Sequence, residues 1–186
     1  HLEAAIVNHN TSNFTLALKN YDKSRELWQK KLGEELPEEI QLFFEYSKGL
    51  VFESAGRDDY SLNLFLSCRN ICEKLPFNNP DKALAYCGLG STLFKTFDYE
   101  WSLRCFLKAL EIREKVLGTE SVDTATVYNN VGCCLMFLER IPEAHSYFEI
   151  AEAVFDLQLG PYHYRTAISK TNMDKCIKRP AQTTAQ

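Results

Sequence analysis

The feature that most constrains the fold of this chain is an internal repeat of about 42 residues. A spaced pattern of glycine, small residue, phenylalanine, alanine and glycine occurs and then recurs 42 positions later. The matching pairs are Gly90 and Gly132, Ser102 and Ala144, Phe106 and Phe148, Ala109 and Ala151, and Gly118 and Gly160. Counting back 41 and 85 positions finds two more copies. The sequence therefore predicts four stacked copies of one unit, because a single copy cannot bury its apolar face alone.

Each copy has the pattern of two helices. In the third copy, the segments 81–95 and 99–117 carry apolar residues at three- and four-residue spacing, which is typical of amphipathic helices. Pro80 follows the capping residue Asn79 at a helix start, and glycines that end second helices can take the left-handed cap conformation. These glycines are Gly33, Gly118 and Gly160. The chain is therefore predicted to be all-α.

Small residues on both helices of each pair predict close helix packing. Glycine on a first helix and a small residue on a second helix would let the two approach, and a phenylalanine would fill the space between repeats. The glycines are Gly49, Gly90 and Gly132, the small residues are Ser61, Ser102 and Ala144, and the phenylalanines are Phe65, Phe106 and Phe148.

Composition and charge limit the partners. Of the 186 residues, 45% are hydrophobic, which is enough for a substantial core. A net charge of -4 leaves no surplus of positive charge for nucleic acid or an anionic membrane, and no apolar run is long enough to span a membrane. Seven cysteines without an even framework indicate reduced thiols. We therefore expect an intracellular, cytoplasmic protein with neither nucleic acid nor membrane as partner.

Signals for catalysis and cofactor binding are poor. The segment "CGLGST", with Gly88 and Gly90, lacks a third glycine and a preceding strand, which argues against dinucleotide binding. Cys68 and Cys72 lie one helical turn apart, but no second pair or nearby histidine completes a metal site. Their favoured interpretation is as buried small side chains. We expect no enzymatic activity, no cofactor and no metal.

The spacing of Tyr86, Gly90, Ser102, Phe106 and Ala109 resembles the tetratricopeptide repeat. The 42-residue period, with "ALEIREKVLG" and "ATVYNNVG", resembles the subtype found in kinesin light chains and in several ciliary scaffold proteins. The resemblance implies a right-handed α-solenoid of helix-turn-helix hairpins with a C-terminal capping helix. It implies a single domain over 1–178, with repeats at about 1–36, 37–78, 79–120 and 121–163 and a cap at 164–178, while the polar tail 179–186 is predicted to be disordered.

The resemblance also implies where a partner would bind. In tetratricopeptide proteins the first helices line a concave groove that receives an extended peptide or a helix of a partner protein. The groove positions carried over onto this chain are Phe43, Tyr46, Cys87, Ser91, Phe94, Lys95, Asn129, Asn130, Cys133, Phe137, Asn172 and Lys175. The implied function is a non-enzymatic interaction module. Apolar residues would hold side chains of the partner, asparagines its main chain, and lysines would favour acidic flanks.

Two features of this groove have alternative interpretations. Asn130 and Asn172 occupy equivalent positions one repeat apart, where their amides could hold a partner's main chain or could be solvated helix residues. The apolar residues of the groove could form an exposed patch or pack between helices, and they are Phe43, Phe94, Met136 and Phe137. Both alternatives stay open at the level of sequence.

A structural scaffold is the alternative function. It would be a ciliary, cytoskeletal or motor-associated subunit that assembles, or self-associates, through outer faces or terminal helices. Exposed apolar residues in the first helix, such as Leu2 and Ile6, would favour it. A mass that rises with concentration would distinguish this scaffold from a monomeric groove binder.

Overall fold

The computed structural model describes residues 5, 13–33 and 35–178, and these residues contain helices and no strand. The prediction of an all-α fold is therefore confirmed. The described helices are α1 (Phe14–Leu32), α2 (Glu38–Ser54), α3 (Asp58–Cys72), α4 (Pro80–Lys95), α5 (Tyr99–Leu117), α6 (Val122–Phe137), α7 (Ile141–Leu159) and α8 (Tyr164–Lys178). The predicted first helix with Leu2 and Ile6, and the predicted tail, lie outside the described residues.

The chain divides into two compact units, residues 1–96 and 97–186. We call them the N-terminal unit, which holds α1 to α4, and the C-terminal unit, which holds α5 to α8. Within each unit, every helix contacts the next one along the chain. The single domain expected over 1–178 stays a prediction.

Phe65 is the centre of packing in the N-terminal unit. Its side chain is fully buried between α2 and α4, where a Cβ added to Gly49 would lie 2.8 Å from the ring and a Cβ added to Gly88 would lie 2.6 Å from it. Both distances are too short for real carbon contacts, so the ring requires glycine on both sides. Close packing at Gly49 agrees with the sequence prediction, and Gly88 adds a second close contact with Phe65.

The C-terminal unit repeats this arrangement with one glycine. Phe148 of α7 is fully buried, and a Cβ at Gly132 of α6 would lie 2.7 Å from its ring. A hydrogen bond of 3.2 Å joins the buried Ser102 Oγ on α5 to Cys134 Sγ on α6. The contact of α6 with α5 and the contact of α6 with α7 therefore both involve small residues, as the sequence predicts.

The turns between the two helices of a hairpin share a left-handed residue. Its φ is +70° at Gly56, +66° at Phe97 and +59° at Glu139, and these residues follow one another at spacings of 41 and 42. In two of the three copies, a residue with a side chain occupies a conformation that favours glycine. These two turns are the positions of backbone strain among the described non-glycine residues.

The glycines at the ends of second helices behave in two ways. Gly33 has φ +70° and ψ +3°, which is the predicted left-handed cap. At Gly118 and Gly160 that prediction is wrong, because ψ is 167° and 164° and the chain is extended there. Their carbonyl oxygens instead accept hydrogen bonds of 2.8 and 2.9 Å from the hydroxyls of Thr124 and Thr166. Three residues separate each of these glycines from the start of the next helix.

Candidate functional site

The positions carried over from the groove lie on first helices, as expected. In the N-terminal unit they lie on α2 and α4, and these two helices contact each other. In the C-terminal unit they lie on α6 and α8, which also contact each other. Each unit therefore holds its own candidate residues on a pair of first helices that contact each other.

A cluster of polar side chains joins α6 to α8 in the C-terminal unit. Asn129 Oδ1 accepts hydrogen bonds from Ser169 Oγ at 3.1 Å and from Asn172 Nδ2 at 3.4 Å. Lys175 Nζ donates to Asn172 Oδ1 at 3.3 Å. The Cys133 thiol completes the group, and we call these five residues the amide cluster.

The Cys133 thiol is an acceptor in this cluster. Its Sγ lies 3.9 Å from Asn129 Nδ2 and 3.8 Å from Asn172 Nδ2. Burial, reinforced by the neighbouring Cys134, raises the pKa of the Cys133 thiol to about 12, although Lys175 acts in the opposite direction. The group is therefore a neutral thiol at physiological pH, which makes it a poor nucleophile.

The two asparagines that the sequence singles out differ in environment. Asn172 is 8% exposed and hydrogen-bonded within the amide cluster. Asn130 is half-buried and takes no part in the cluster. The amides that meet are those of Asn129 and Asn172, which are 43 residues apart rather than 42. Ser169 was missed, although its position three residues before Asn172 places it on the same helix face.

In the N-terminal unit the candidate residues make ionic and aromatic contacts. Lys95 Nζ of α4 forms an ion pair of 2.8 Å with Glu53 of α2. The Phe43 ring, 40% exposed, meets Phe44 edge-on, and the half-buried Tyr46 ring lies 5.8 Å from the Phe65 ring. The remaining candidates on α4 are half-buried, and they are Cys87, Ser91 and Phe94.

Aromatic packing places Phe137 at the end of α6. Its ring is 47% exposed and stacks on Tyr99 at a centroid distance of 4.8 Å. The choice between exposed patch and packing is therefore not exclusive here. Phe137 packs on one face and stays accessible on the rest of its surface.

Side chains that could bind a metal ion are not clustered in the part of the chain that the structure describes. No three histidine, cysteine or carboxylate side chains there come close enough to hold a metal ion. Cys68 and Cys72 are fully buried, and burial raises the pKa of both thiols, to about 11 for Cys72. None of the described helices is both long and apolar enough to cross a membrane.

Comparisons with known proteins agree with the fold. Residues 81–157 match the family model described as tetratricopeptide repeat. BtubC (BKLC) from P. vanneervenii is similar in structure, with a TM-score of 0.83 and 17% identity over 94% of this chain and 69% of that one. The nearly identical TPR-like repeats of a Podosopora anserina protein, described as a kinesin light chain, give 0.77 and 13% over 95% and 83%.

A Rap protein complexed with competence and sporulation factor is similar as well. Its TM-score is 0.66 with 20% identity, over 94% of this chain and 49% of that one. A search of curated proteins found no match. At these identities the solved structures are evidence for the fold.

Proposed function

We propose that the chain is a tetratricopeptide-repeat protein of the kinesin-light-chain-like subtype. We further propose that it is a non-enzymatic module that binds an extended segment of a partner protein. Tetratricopeptide repeats generally serve in protein–protein interaction. The first helices of the C-terminal unit would receive the segment. The observation that carries this proposal is the amide cluster, a group of side chains that can both donate and accept hydrogen bonds.

The amide cluster is suited to exchanging its hydrogen bonds. Its contact from Asn172 Nδ2 to Asn129 Oδ1, at 3.4 Å, is long compared with the usual 2.9 Å of an N–H···O bond, and sulfur, which Asn172 Nδ2 contacts at Cys133, is a weak acceptor. Long hydrogen bonds are weak, so replacing them by bonds to a partner's main chain loses little. Asn130, next to the cluster on α6, adds an amide outside this network.

Charge would set which segments are preferred. Lys175 is exposed and donates to a neutral amide, so its charge is not balanced within the amide cluster. Lys95, in contrast, is paired with Glu53. An acidic residue of the partner would gain more from Lys175 than from Lys95, because at Lys95 it must compete with an existing carboxylate.

The Rap structure supports a binding role. That protein is complexed with competence and sporulation factor, and its fold is similar over 94% of this chain. A protein with a similar helical frame thus forms a complex with another molecule. The chemistry that binds the partner in the present chain would be its own, because function in such folds depends on variable side chains.

The test uses Asn130→Ala, because Asn130 lies outside the amide cluster and its removal leaves those hydrogen bonds intact. Proteins captured from a eukaryotic lysate are identified, mapped to a peptide, and titrated against wild type, Asn130→Ala and Asn129→Ala. We expect about 5- to 20-fold weaker binding for each variant, with unchanged circular dichroism. Thr171→Ala is the control, since Thr171 is exposed and its hydroxyl bonds within α8. Equal binding by all four proteins would contradict the proposal.

A scaffold role is a second candidate, favoured by one observation on α8. Leu135 of α6 is 2% exposed, whereas Ile177, 42 residues later at the equivalent position, is 67% exposed. A helix from a partner or from a second copy could cover Ile177. Sedimentation equilibrium checks this role: a mass that rises with concentration in wild type and stays monomeric in Ile177→Lys would support it.

A further inference from the structure

Three aromatic rings form a surface cluster in the C-terminal unit that the proposed function does not explain. Phe97 meets Tyr99 edge-on at 6.3 Å, and Tyr99 stacks on Phe137 at 4.8 Å. Phe97 is 77% exposed and Phe137 is 47% exposed. We call these three residues the aromatic corner. It lies where the first turn of α5 meets the last turn of α6.

Phe97 is unfavourable at its position for two reasons. Its φ of +66° is a conformation that a side chain disfavours, and the equivalent residue of the N-terminal unit is Gly56, with φ +70°. Its ring is also mostly in contact with water, so it gains little from burial. The turn itself therefore does not require phenylalanine. A strained, exposed aromatic residue is a common property of binding surfaces.

The charges beside the aromatic corner are mainly negative. Asp98 and Glu100 flank the cluster in the sequence, and Glu139 lies two residues after Phe137. The nearby Arg140 is bound by Glu143 through two hydrogen bonds of 2.7 Å. Arg140 also interacts electrostatically with the Glu100 carboxylate. The carboxylates of Asp98, Glu100 and Glu139 still outnumber this one arginine on the two turns. The corner attracts a positively charged group.

The same helix already shows the type of contact that the corner would make. The Arg104 guanidinium lies over the Trp101 ring at 4.9 Å from its centroid. A guanidinium is planar and weakly hydrated, so it stacks on an aromatic face while its N–H groups bind a carboxylate. Exposed rings with adjacent carboxylates therefore offer a guanidinium both an aromatic face to stack on and a carboxylate to bind. Lysine would use the charge but not the planar stacking.

We propose that the aromatic corner is a second docking surface, and that it binds an arginine-bearing segment of a partner protein. One guanidinium stacks on the exposed Phe97 ring and pairs with Glu100 or Glu139. This surface shares Phe137 with the candidate peptide-binding residues, but it uses neither the amide cluster nor Asn130. The two surfaces can therefore be tested separately.

The experiment selects binders from a phage-displayed library of random 12-residue peptides on wild-type protein. Selected peptides are synthesised and titrated by fluorescence anisotropy. We expect a class of arginine-containing peptides whose binding weakens at least about tenfold in Phe97→Gly and about threefold in Glu100→Gln. Their affinity should also fall as salt is raised.

Two controls separate the corner from other effects. Tyr162→Ala removes an aromatic side chain that is 98% exposed elsewhere in the C-terminal unit, and it should leave this class of peptides bound. Asn130→Ala, which tests the amide face, should also leave it bound. Phe97→Asn is a second variant in case Phe97→Gly does not fold, because asparagine tolerates the left-handed conformation.

Three results would overturn the inference. One is a selection in which no peptide class is sensitive to Phe97→Gly or Phe97→Asn. Another is a class of peptides that binds these Phe97 variants more weakly but contains no arginine. The last is a wild-type protein that self-associates through the corner, seen as a dimer that either Phe97 variant abolishes, since a second copy would then cover the surface.

Discussion

Lys82 in the N-terminal unit and Thr124 in the C-terminal unit occupy equivalent positions 42 residues apart, and both bind a loop carbonyl. Lys82 Nζ donates to the Leu75 oxygen at 3.1 Å, and Thr124 Oγ1 donates to the Gly118 oxygen at 2.8 Å. Both residues are buried. A long cationic side chain and a short neutral one thus satisfy the same backbone requirement in loops of different sequence.

At a second set of equivalent positions, the role of the residue changes between the two units. Gly88 lies against Phe65 in the N-terminal unit, and the residue two periods later is Asn172 in the amide cluster. The repeat frame therefore keeps some positions for one purpose and changes others completely. Loop carbonyls must be satisfied in every repeat, whereas a first-helix position can serve packing in one unit and polar chemistry in another.

In the comparison of the two units, the largest effect is expected from replacing the buried phenylalanine of each unit by alanine. Phe65→Ala should lower the free energy of unfolding by about 3–5 kcal/mol, because the ring is fully buried between two glycines. Phe148→Ala should have a similar effect. Urea unfolding followed by circular dichroism measures both.

A second substitution identifies the cause. Gly88→Ala should destabilise the wild type by about 1–3 kcal/mol, since its Cβ would overlap the Phe65 ring, but should be harmless or favourable in Phe65→Ala. Phe77→Ala is the control for removing a phenylalanine ring that is not fully buried, because Phe77 is 43% exposed. Additive effects of the two substitutions would show that the glycine and the ring do not interact.

A medium effect is expected from removing the donors to the loop carbonyls. Lys82→Met and Thr124→Val keep much of the side-chain volume but leave the Leu75 and Gly118 oxygens without these partners. Each should cost about 1–3 kcal/mol of unfolding free energy, measured by thermal and urea unfolding. Thr171→Val, which removes an exposed hydroxyl, should change stability by less than about 0.5 kcal/mol. If only one of the two variants lost stability, Lys82 and Thr124 would not have equivalent roles.

The smallest effect concerns the left-handed turns. Phe97→Gly and Glu139→Gly should raise the melting temperature slightly, corresponding to at most about 1 kcal/mol, because glycine relieves the strain at positive φ. Gly56→Ala should lower stability by about the same amount. Differential scanning calorimetry measures all three. A destabilised Phe97→Gly protein would mean that the ring contributes to folding, contrary to our account of the aromatic corner.

The repeat and its packing could be predicted because period and residue size are written in the sequence. The limits of α5 follow from spacing alone. Gly88 could not be assigned, because its contact with Phe65 depends on how α4 lies against α3. The glycine caps failed at Gly118 and Gly160, since sequence indicates a positive φ but does not determine ψ.

The candidate site was predicted less completely than the fold. Equivalent positions suggested Asn130 and Asn172 as amides for a partner's main chain, but they did not indicate that Asn129, rather than Asn130, would hydrogen-bond to Asn172. A shift of one residue turns a side chain by about 100° on a helix, so spacing could not decide between them. Phe97 also carried no signal in sequence, because its strain appears only in the backbone angle.

The hydrogen bond from Thr124 to Gly118 joins two residues six positions apart, and Thr166 with Gly160 repeats it one period later. Both of its atoms lie within one 42-residue segment that starts at the glycine. Such a segment could be duplicated, deleted or grafted into a related array without leaving its loop carbonyl unpaired. Gene duplication and protein engineering could therefore change the length of this array in whole repeats cut at Gly118 or Gly160.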